Sequence, residues 1–179
     1  MTRFYIHTDR RGSLQAGQVI DLSNDAATIG QYNTDRAQFL SALFPNGISE
    51  HGERYLFQQQ RDTSGMIEAL AEWIRQAKYP HLPSRLQSFF AWRTLEDARR
   101  FGQSRALRDA AGSPIVSIIW EVESQAAIFE SDMNRLHLGE CWLDAFLWVD
   151  AYWRQDYTPR PLIEVLLELP VRVIRKVSS

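Results

Sequence analysis

The chain has 179 residues, a formal net charge of -2 and a 45% share of hydrophobic residues. This length suits one domain with a sizeable core, and the composition excludes an intrinsically disordered chain. The near-zero charge gives no electrostatic argument for or against a nucleic-acid partner. A lone cysteine, Cys141, excludes an internal disulfide framework and fits a reducing compartment. We therefore expect a single domain over residues 1–179.

The sequence predicts neither a membrane span nor an export signal. Residues 1–7 turn polar at once, unlike a signal peptide, and no apolar run approaches the roughly 20 residues that cross a bilayer. A cytoplasmic location is the expectation. The histidines show no close-spaced ligand pattern, so no metal is expected. Cys141 lies in a tryptophan-rich helical pattern and is predicted to be a buried, unreactive thiol.

The first eighty residues predict short strands and amphipathic helices. Residues 3–8 and 17–22 are β-prone. Helices are expected from Thr34, from about Ser49 and from Ser64, which is the predicted N-cap of the clearest of the three.

The central stretch, residues 83–101, predicts a loop, a buried strand, a tight turn and an amphipathic helix. Ser88–Trp92 is apolar and aromatic and too short for a helix. Thr94 is a predicted N-cap, followed by an acidic first turn that suits the helix dipole. The loop brings Arg85 and Ser88 to the start of the strand, where we expect functional chemistry.

The rest of the chain predicts four more strands and one helix. The strands are expected over 114–122, 127–130, 162–167 and 171–177, and the helix over 140–154. Strands first, helices in the middle and strands again predict an α+β fold with a mixed or mainly antiparallel sheet. The two familiar glycine-rich phosphate-binding motifs are absent from the sequence.

Glu164 is a carboxylate inside an apolar strand pattern. Burying a carboxylate without a partner costs several kcal/mol, so this side chain needs a counter-charge or a functional cavity. A salt bridge to an arginine and a catalytic role both meet that need, and the residues alone leave both open. His7, flanked by apolar residues, is by default a structural histidine.

The ordered set of elements resembles the ADP-ribosyltransferase superfamily. It is most similar to the small bacterial branch that includes rifamycin ADP-ribosyltransferase and the DNA-targeting toxins of toxin–antitoxin pairs. The matching stretches are the strand with His7, Leu14–Gln18, Ser84–Ala91 with Thr94–Ala98, Ile118–Val122, Ser131–Asn134, Tyr152–Trp153, Glu164–Leu167 and Pro170–Ile174. The resemblance implies an ADP-ribosyltransferase-like split mixed or antiparallel sheet core with flanking helices.

The resemblance also implies that NAD is the substrate. Glu164 would hold the ribose 2′-hydroxyl and stabilise the cationic state through which nicotinamide leaves. Arg85 would contact the pyrophosphate or orient the reacting ribose, because its planar fork suits phosphate oxygens. These two residues are the implied catalytic pair.

Six further residues are implied to bind NAD. His7 would contact a ribose hydroxyl, and Ser88 the glutamate or the nicotinamide ribose. Phe90 or Tyr152 would stack against the nicotinamide ring. The family often has a threonine two residues after the histidine, but Asp9 occupies that position here and Thr8 points to the other face of the strand. The carboxamide contact therefore falls to Thr8 or Asp9.

The implied function is an NAD-dependent mono-ADP-ribosyltransferase acting as a bacterial toxin or phage-defence effector, with an antitoxin protein as an expected partner. Arginine-directed members carry an acidic or amide residue where this chain has Leu162, so DNA or RNA is the favoured acceptor. Five arginines would line one rim of the site that receives this acceptor, or they are simply solvated charges: Arg10, Arg11, Arg99, Arg100 and Arg105. The alternatives are an NAD glycohydrolase and a non-catalytic nucleotide- or partner-binding module on the same fold.

Overall fold

The computed structural model describes residues 3–10, 12–23, 34–57, 63–104, 113, 116–125 and 128–177. This part of the chain forms seven strands and five α-helices. In chain order they are β1 (Arg3–Asp9), β2 (Val19–Ile20), α1 (Thr34–Leu43), α2 (Glu50–Phe57), α3 (Ser64–Lys78), β3 (Ser88–Trp92), α4 (Leu95–Ser104), β4 (Ile118–Ser124), β5 (Ile128–Asp132), α5 (Trp142–Trp153), β6 (Ile163–Glu168) and β7 (Val171–Lys176).

The strands make one sheet in the order β2-β7-β4-β1-β3-β6-β5. Every neighbouring pair is antiparallel. The prediction of an α+β protein with a mainly antiparallel sheet is therefore confirmed. Among the described helices, none is both long enough and apolar enough to cross a bilayer.

The sheet is joined weakly at its centre, between β1 and β3. These two strands share a single register pair, Ile6 with Trp92. By contrast, β1 pairs with β4 along its whole length, and all of β3 pairs with β6. The sheet thus consists of two well-paired parts, β2-β7-β4-β1 and β3-β6-β5, that separate beyond one point of contact.

The two faces of the sheet carry different cores. On one face, helices α3 and α5 pack over the strands, and the buried side chains include Leu70, Ile74, Phe129, Val149 and Leu166. On the other face, apolar side chains of the two sheet parts meet each other, among them Tyr5, Val122, Val165, Leu167 and Val173. We call the first the helix-covered face and the second the strand-lined face.

Local signals located the central elements well. Strand β3 has the predicted bounds, and Asp97 N donates to Thr94 Oγ1 at 3.1 Å, so the predicted cap of α4 is confirmed. Ser64 is the first residue of α3 and not its cap, since Thr63 occupies the cap position. The prediction of a buried Cys141 is wrong: it precedes α5, and its thiol is exposed.

Candidate functional site

Glu164 lies on β6 and is 3% exposed. In the ladder it stands opposite Trp92 of β3 and Ser131 of β5, so its backbone is paired on both sides. Its side chain points to the helix-covered face. The expectation that this carboxylate is buried is confirmed, and burial at this level requires a counter-charge.

Arg85 supplies that charge from a short 3₁₀ turn, Arg85–Gln87, directly before β3. Ser84 caps the turn by accepting a hydrogen bond from Leu86 N at 3.1 Å. The same hydroxyl donates to Glu72 Oε2 of α3 at 2.8 Å. The turn is therefore tied to a helix before the strand begins, and Arg85 is held at a fixed place, 3% exposed.

Four side chains form what we call the buried charge cluster: Glu68, Arg85, Tyr152 and Glu164. Arg85 Nε and Nη2 donate to the two carboxylate oxygens of Glu68 at 2.9 and 2.8 Å. Arg85 Nη1 donates to Tyr152 Oη at 2.7 Å and to Glu164 Oε1. Tyr152 Oη in turn donates to Glu164 Oε1 at 2.7 Å. The cluster links α3, the turn before β3, α5 and β6.

The charges of the cluster set its proton affinities. Burial alone would raise the pKa of Glu68, but Arg85 and His51 outweigh it and hold that pKa far below its usual value. Burial opposes the charge of Arg85, yet Glu164 and Glu68 raise its pKa well above the ordinary value. Burial, helped by Glu164, raises the pKa of Tyr152. The cluster therefore keeps an ionised arginine, an ionised Glu68 and a neutral tyrosine at neutral pH.

An aromatic layer covers the cluster. The guanidinium carbon of Arg85 lies 4.9 Å from the ring centre of Phe90 and 5.1 Å from that of Tyr152. The ring of His51 makes tilted contacts with Phe90 and Tyr55, at 4.3 and 4.7 Å between ring centres. Its Nε2 lies 3.3 Å from Glu68 Oε1 without the alignment of a hydrogen bond. Aromatic faces against a guanidinium are favourable, and they also offer a flat surface to a planar ligand.

Glu68 and His51 were missed in the sequence. Glu68 lies beside the apolar stripe of α3, where it is 6% exposed. A carboxylate bordering a buried helical stripe is the same kind of signal that identified Glu164, so it was available. His51 has no such signal, because its neighbours in the sequence are polar.

The structure does not bring His7 to the cluster. Ile6 shares a register line with Trp92 and Glu164, so the adjacent His7 points to the opposite, strand-lined face. There its ring contacts Phe89 at 4.4 Å, and Nδ1 donates to Phe90 O at 2.6 Å. Part of the residue remains exposed, yet burial of the ring lowers its pKa.

Three other predicted residues form hydrogen bonds with backbone groups. Thr8 Oγ1 donates to Ala98 O at 2.9 Å, which fastens α4 to β1. Asp9 accepts hydrogen bonds from Gly12 N and Leu14 N, at 2.8 and 3.1 Å. Ser88 Oγ donates to Ser84 O at 2.7 Å and so braces the turn that carries Arg85.

The comparison with known families gives one result. Residues 4–179 match the family described as "Protein of unknown function (DUF2441)". The chain belongs to the DUF2441 family. No curated protein matches it.

In this DUF2441 chain the predicted basic rim is partly described. Arg10 lies over the ring of Phe101, 5.3 Å from its centre, and Arg100 donates to Pro161 O. Arg99 is exposed on α4. Arg11 and Arg105 lie outside the described residues. Within the described ranges, no group of three or more histidine, cysteine or acidic side chains is placed to hold a metal ion.

The chemistry open to the DUF2441 cluster follows from an oxygen of Glu164 that accepts no hydrogen bond in it. Both hydrogen bonds to Glu164 end on Oε1, and no donor in the described part of the chain reaches Oε2. A carboxylate oxygen that accepts no hydrogen bond can take one from a substrate hydroxyl, and a carboxylate placed beside a developing positive charge can stabilise it. Arg85 directs four of its five N–H donors to Glu68, Tyr152 and Glu164, so one hydrogen on Nη2 is not used by these contacts.

Proposed function

We propose that this protein is an NAD-dependent mono-ADP-ribosyltransferase whose catalytic carboxylate is Glu164. The observation that carries the proposal is the contact of Arg85 and Tyr152 with Glu164, beside the ring of Phe90. These are four of the residues to which the resemblance assigned catalysis or NAD binding. They come from four separate elements, namely the turn before β3, β3 itself, α5 and β6, and the fold brings them together.

The reaction explains why a carboxylate is needed. The glycosidic bond between nicotinamide and ribose C1′ breaks, and its electron pair leaves with nicotinamide. The ribose becomes cationic until a lone pair of the acceptor attacks C1′ and the acceptor loses a proton. A negative charge held beside C1′ stabilises the cationic state more than the ground state. Because Glu164 is 3% exposed, NAD reaches it only after neighbouring side chains move aside.

In this proposal the remaining predicted residues have roles that differ from those implied by the resemblance. Arg85 transfers one donor from Glu164 to the pyrophosphate while Glu68 retains the other two. Ser88 supports the turn of Arg85 and not the substrate. His7, Thr8 and Asp9 serve the architecture of β1, because each forms a hydrogen bond with a backbone group, of Phe90, Ala98 and Gly12 respectively.

A nucleic-acid acceptor is the part of the proposal that rests on charge. Helix α4 packs on Trp92 and Leu162, close to Glu164 in the sheet. Arg99 and Arg100 lie on that helix, and Arg10 lies against it. Cationic side chains there would steer a polyanion toward the reacting ribose. A cytoplasmic toxin or phage-defence role, restrained by an antitoxin, follows as the setting that we propose.

The first experiment measures nicotinamide release from NAD by wild type, Glu164→Gln and Glu123→Gln, each with DNA, RNA or no acceptor. Glu123→Gln is the matched control, because it removes a β4 carboxylate that pairs with Arg172 at the surface. We expect the rate of nicotinamide release to fall by about 10²-fold or more in Glu164→Gln, the usual scale for losing a transition-state contact. The control should release nicotinamide at the wild-type rate. Absence of release with every acceptor, together with no shift of the melting temperature by NAD, contradicts the proposal.

One observation favours a second function, a non-catalytic nucleotide- or partner-binding module. Glu164 and Glu68 are both buried, and the donors of Arg85 are shared between them, which is also the arrangement of a purely structural ion network. NAD that raises the melting temperature without turnover favours this module. Free ADP-ribose without a labelled acceptor identifies an NAD glycohydrolase instead.

A further inference from the structure

Helices α3 and α5 carry an apolar groove on the side that faces away from the sheet. Its volume is about 380 Å³, and it is lined by Trp73, Ile74, Ala77, Leu143, Phe146 and Leu147, with Lys78 and Asp150 at its edge. Trp73 and Phe146 contact each other edge to face, 5.6 Å between ring centres. We call this surface the α3–α5 groove.

The side chains of the groove are large, apolar and exposed. Trp73 is 60% exposed, Leu143 76% and Leu147 52%. Met66 extends the surface along α3 because it lies seven residues, two helical turns, before Trp73. Trp142 extends it at the start of α5 and is 58% exposed. Together these side chains expose on the order of 600 Å² of apolar surface, the upper end of what a monomer usually shows.

Helix α5 is apolar around nearly its whole circumference. Its inner side buries Ala145, Val149, Tyr152 and Trp153, and its outer side carries the groove residues. A helix that is hydrophobic on all sides is normally covered on all sides. The described part of the chain covers only the inner side of α5.

We propose that the α3–α5 groove is the interface through which two copies of this chain form a two-fold symmetric dimer. A surface of about 600 Å² on each copy buries about 1,200 Å² in total, the lower limit for a specific interface. Two-fold dimers are the commonest oligomers, and each copy presents the same two helices for antiparallel packing on its mate.

Charge is what favours a second copy over a charged foreign partner. The two charged side chains of the groove, Lys78 and Asp150, form an ion pair with each other. The residues that line the groove therefore carry no net charge, so two identical grooves can meet without like-charge repulsion. Aromatic residues such as Trp73 and Phe146 are the types that dominate binding energy at interface centres.

The test is sedimentation velocity of wild type, Trp73→Glu, Leu143→Glu and Phe39→Glu at up to about 100 µM, tenfold above the Kd of a weak dimer of about 10 µM. Phe39→Glu is the matched control, since Phe39 is 68% exposed on α1 and lies outside the groove. We expect wild type and Phe39→Glu to sediment as dimers, twice the chain mass of 20.7 kDa. The two groove variants should dimerise at least about 30-fold more weakly.

A second measurement locates the contact. Cys141 is the sole cysteine, is exposed and directly precedes α5, so a spin label there needs no further substitution. We expect dipolar coupling between the two labels of a dimer, and its loss in Leu143→Glu. A monomeric wild type, or a dimer that both groove variants leave intact, overturns the proposal.

Discussion

Arg85 Nη1 donates to Glu164 Oε1 on β6, while Nε and Nη2 of the same side chain donate to both oxygens of Glu68 on α3. One guanidinium thereby joins a helix to the strand that carries the candidate catalytic carboxylate. Arginine suits this task because its five donors lie in a rigid plane and it stays charged when buried. Lysine at this position would lack the two nitrogens that bond both oxygens of Glu68 side by side.

Replacing Arg85 with methionine should destabilise the fold by about 3–5 kcal/mol, because it leaves Glu68 and Glu164 buried without their counter-charge. Urea unfolding measures the loss. Arg172→Met is the control, since Arg172 forms an exposed ion pair with Glu123 and should cost no more than about 1 kcal/mol. Equal small losses in both variants would show that the buried cluster is not a stabilising unit.

Tyr152→Phe removes only the hydroxyl that donates to Glu164 and accepts from Arg85. The ring still fits the core, so we expect a loss of about 1–3 kcal/mol from the broken buried hydrogen bonds. Chemical denaturation compares it with Tyr157→Phe, whose ring is half-exposed. The prediction fails if the two variants unfold at the same denaturant concentration.

Asp132 fastens the segment that enters β6. Its carboxylate accepts hydrogen bonds from Thr158 N at 2.9 Å, Thr158 Oγ1 at 2.5 Å and Leu162 N at 2.9 Å. Asp132→Ala leaves the buried donor of Leu162 without a partner, so we expect a loss of about 3 kcal/mol in unfolding free energy. Asp156→Ala, which removes an exposed carboxylate, is the control. A wild-type melting temperature for Asp132→Ala would refute this role.

Stability should fall as the pH drops below about 6.5, the ordinary pKa of histidine. Burial lowers the pKa of folded His7 despite the opposing effects of Phe90 O and Asp9, so between that lowered pKa and 6.5 the unfolded chain binds a proton that the folded chain does not. Urea unfolding at pH 7.5 and 5.5 should show a smaller loss for His7→Gln than for wild type. His137→Gln changes an exposed ring and should behave as wild type. An unchanged pH dependence in His7→Gln would contradict the assignment.

Much of the candidate site could be anticipated from local pattern. Glu164 interrupts an apolar strand, and that alone predicts burial together with either a counter-charge or a functional cavity. Arg85 was a predicted site residue because it precedes a buried strand. That the two touch could not be read from the sequence, since 79 positions separate them and no local rule pairs them. Glu68 joins them from 17 positions before Arg85, through the packing of α3 on the turn.

His7 shows where local pattern stops. Alternation along β1 places His7 and Ile6 on opposite faces whatever the fold. Which of them shares a face with Glu164 depends on the register that pairs Ile6 with Trp92, and Trp92 with Glu164. A shift of one residue in either pair would reverse the answer, because the side-chain period of a strand is two.

The sequence by itself determined the α+β class, the bounds of β3, the cap of α4 and the need of Glu164 for a partner, because each depends on neighbours within a few residues. Only the tertiary structure decided that Arg85, Glu68 and Tyr152 meet Glu164, and that His7 lies on the other face. Strand order and register arise from long-range loop closure and packing, and these leave no periodic trace in the chain.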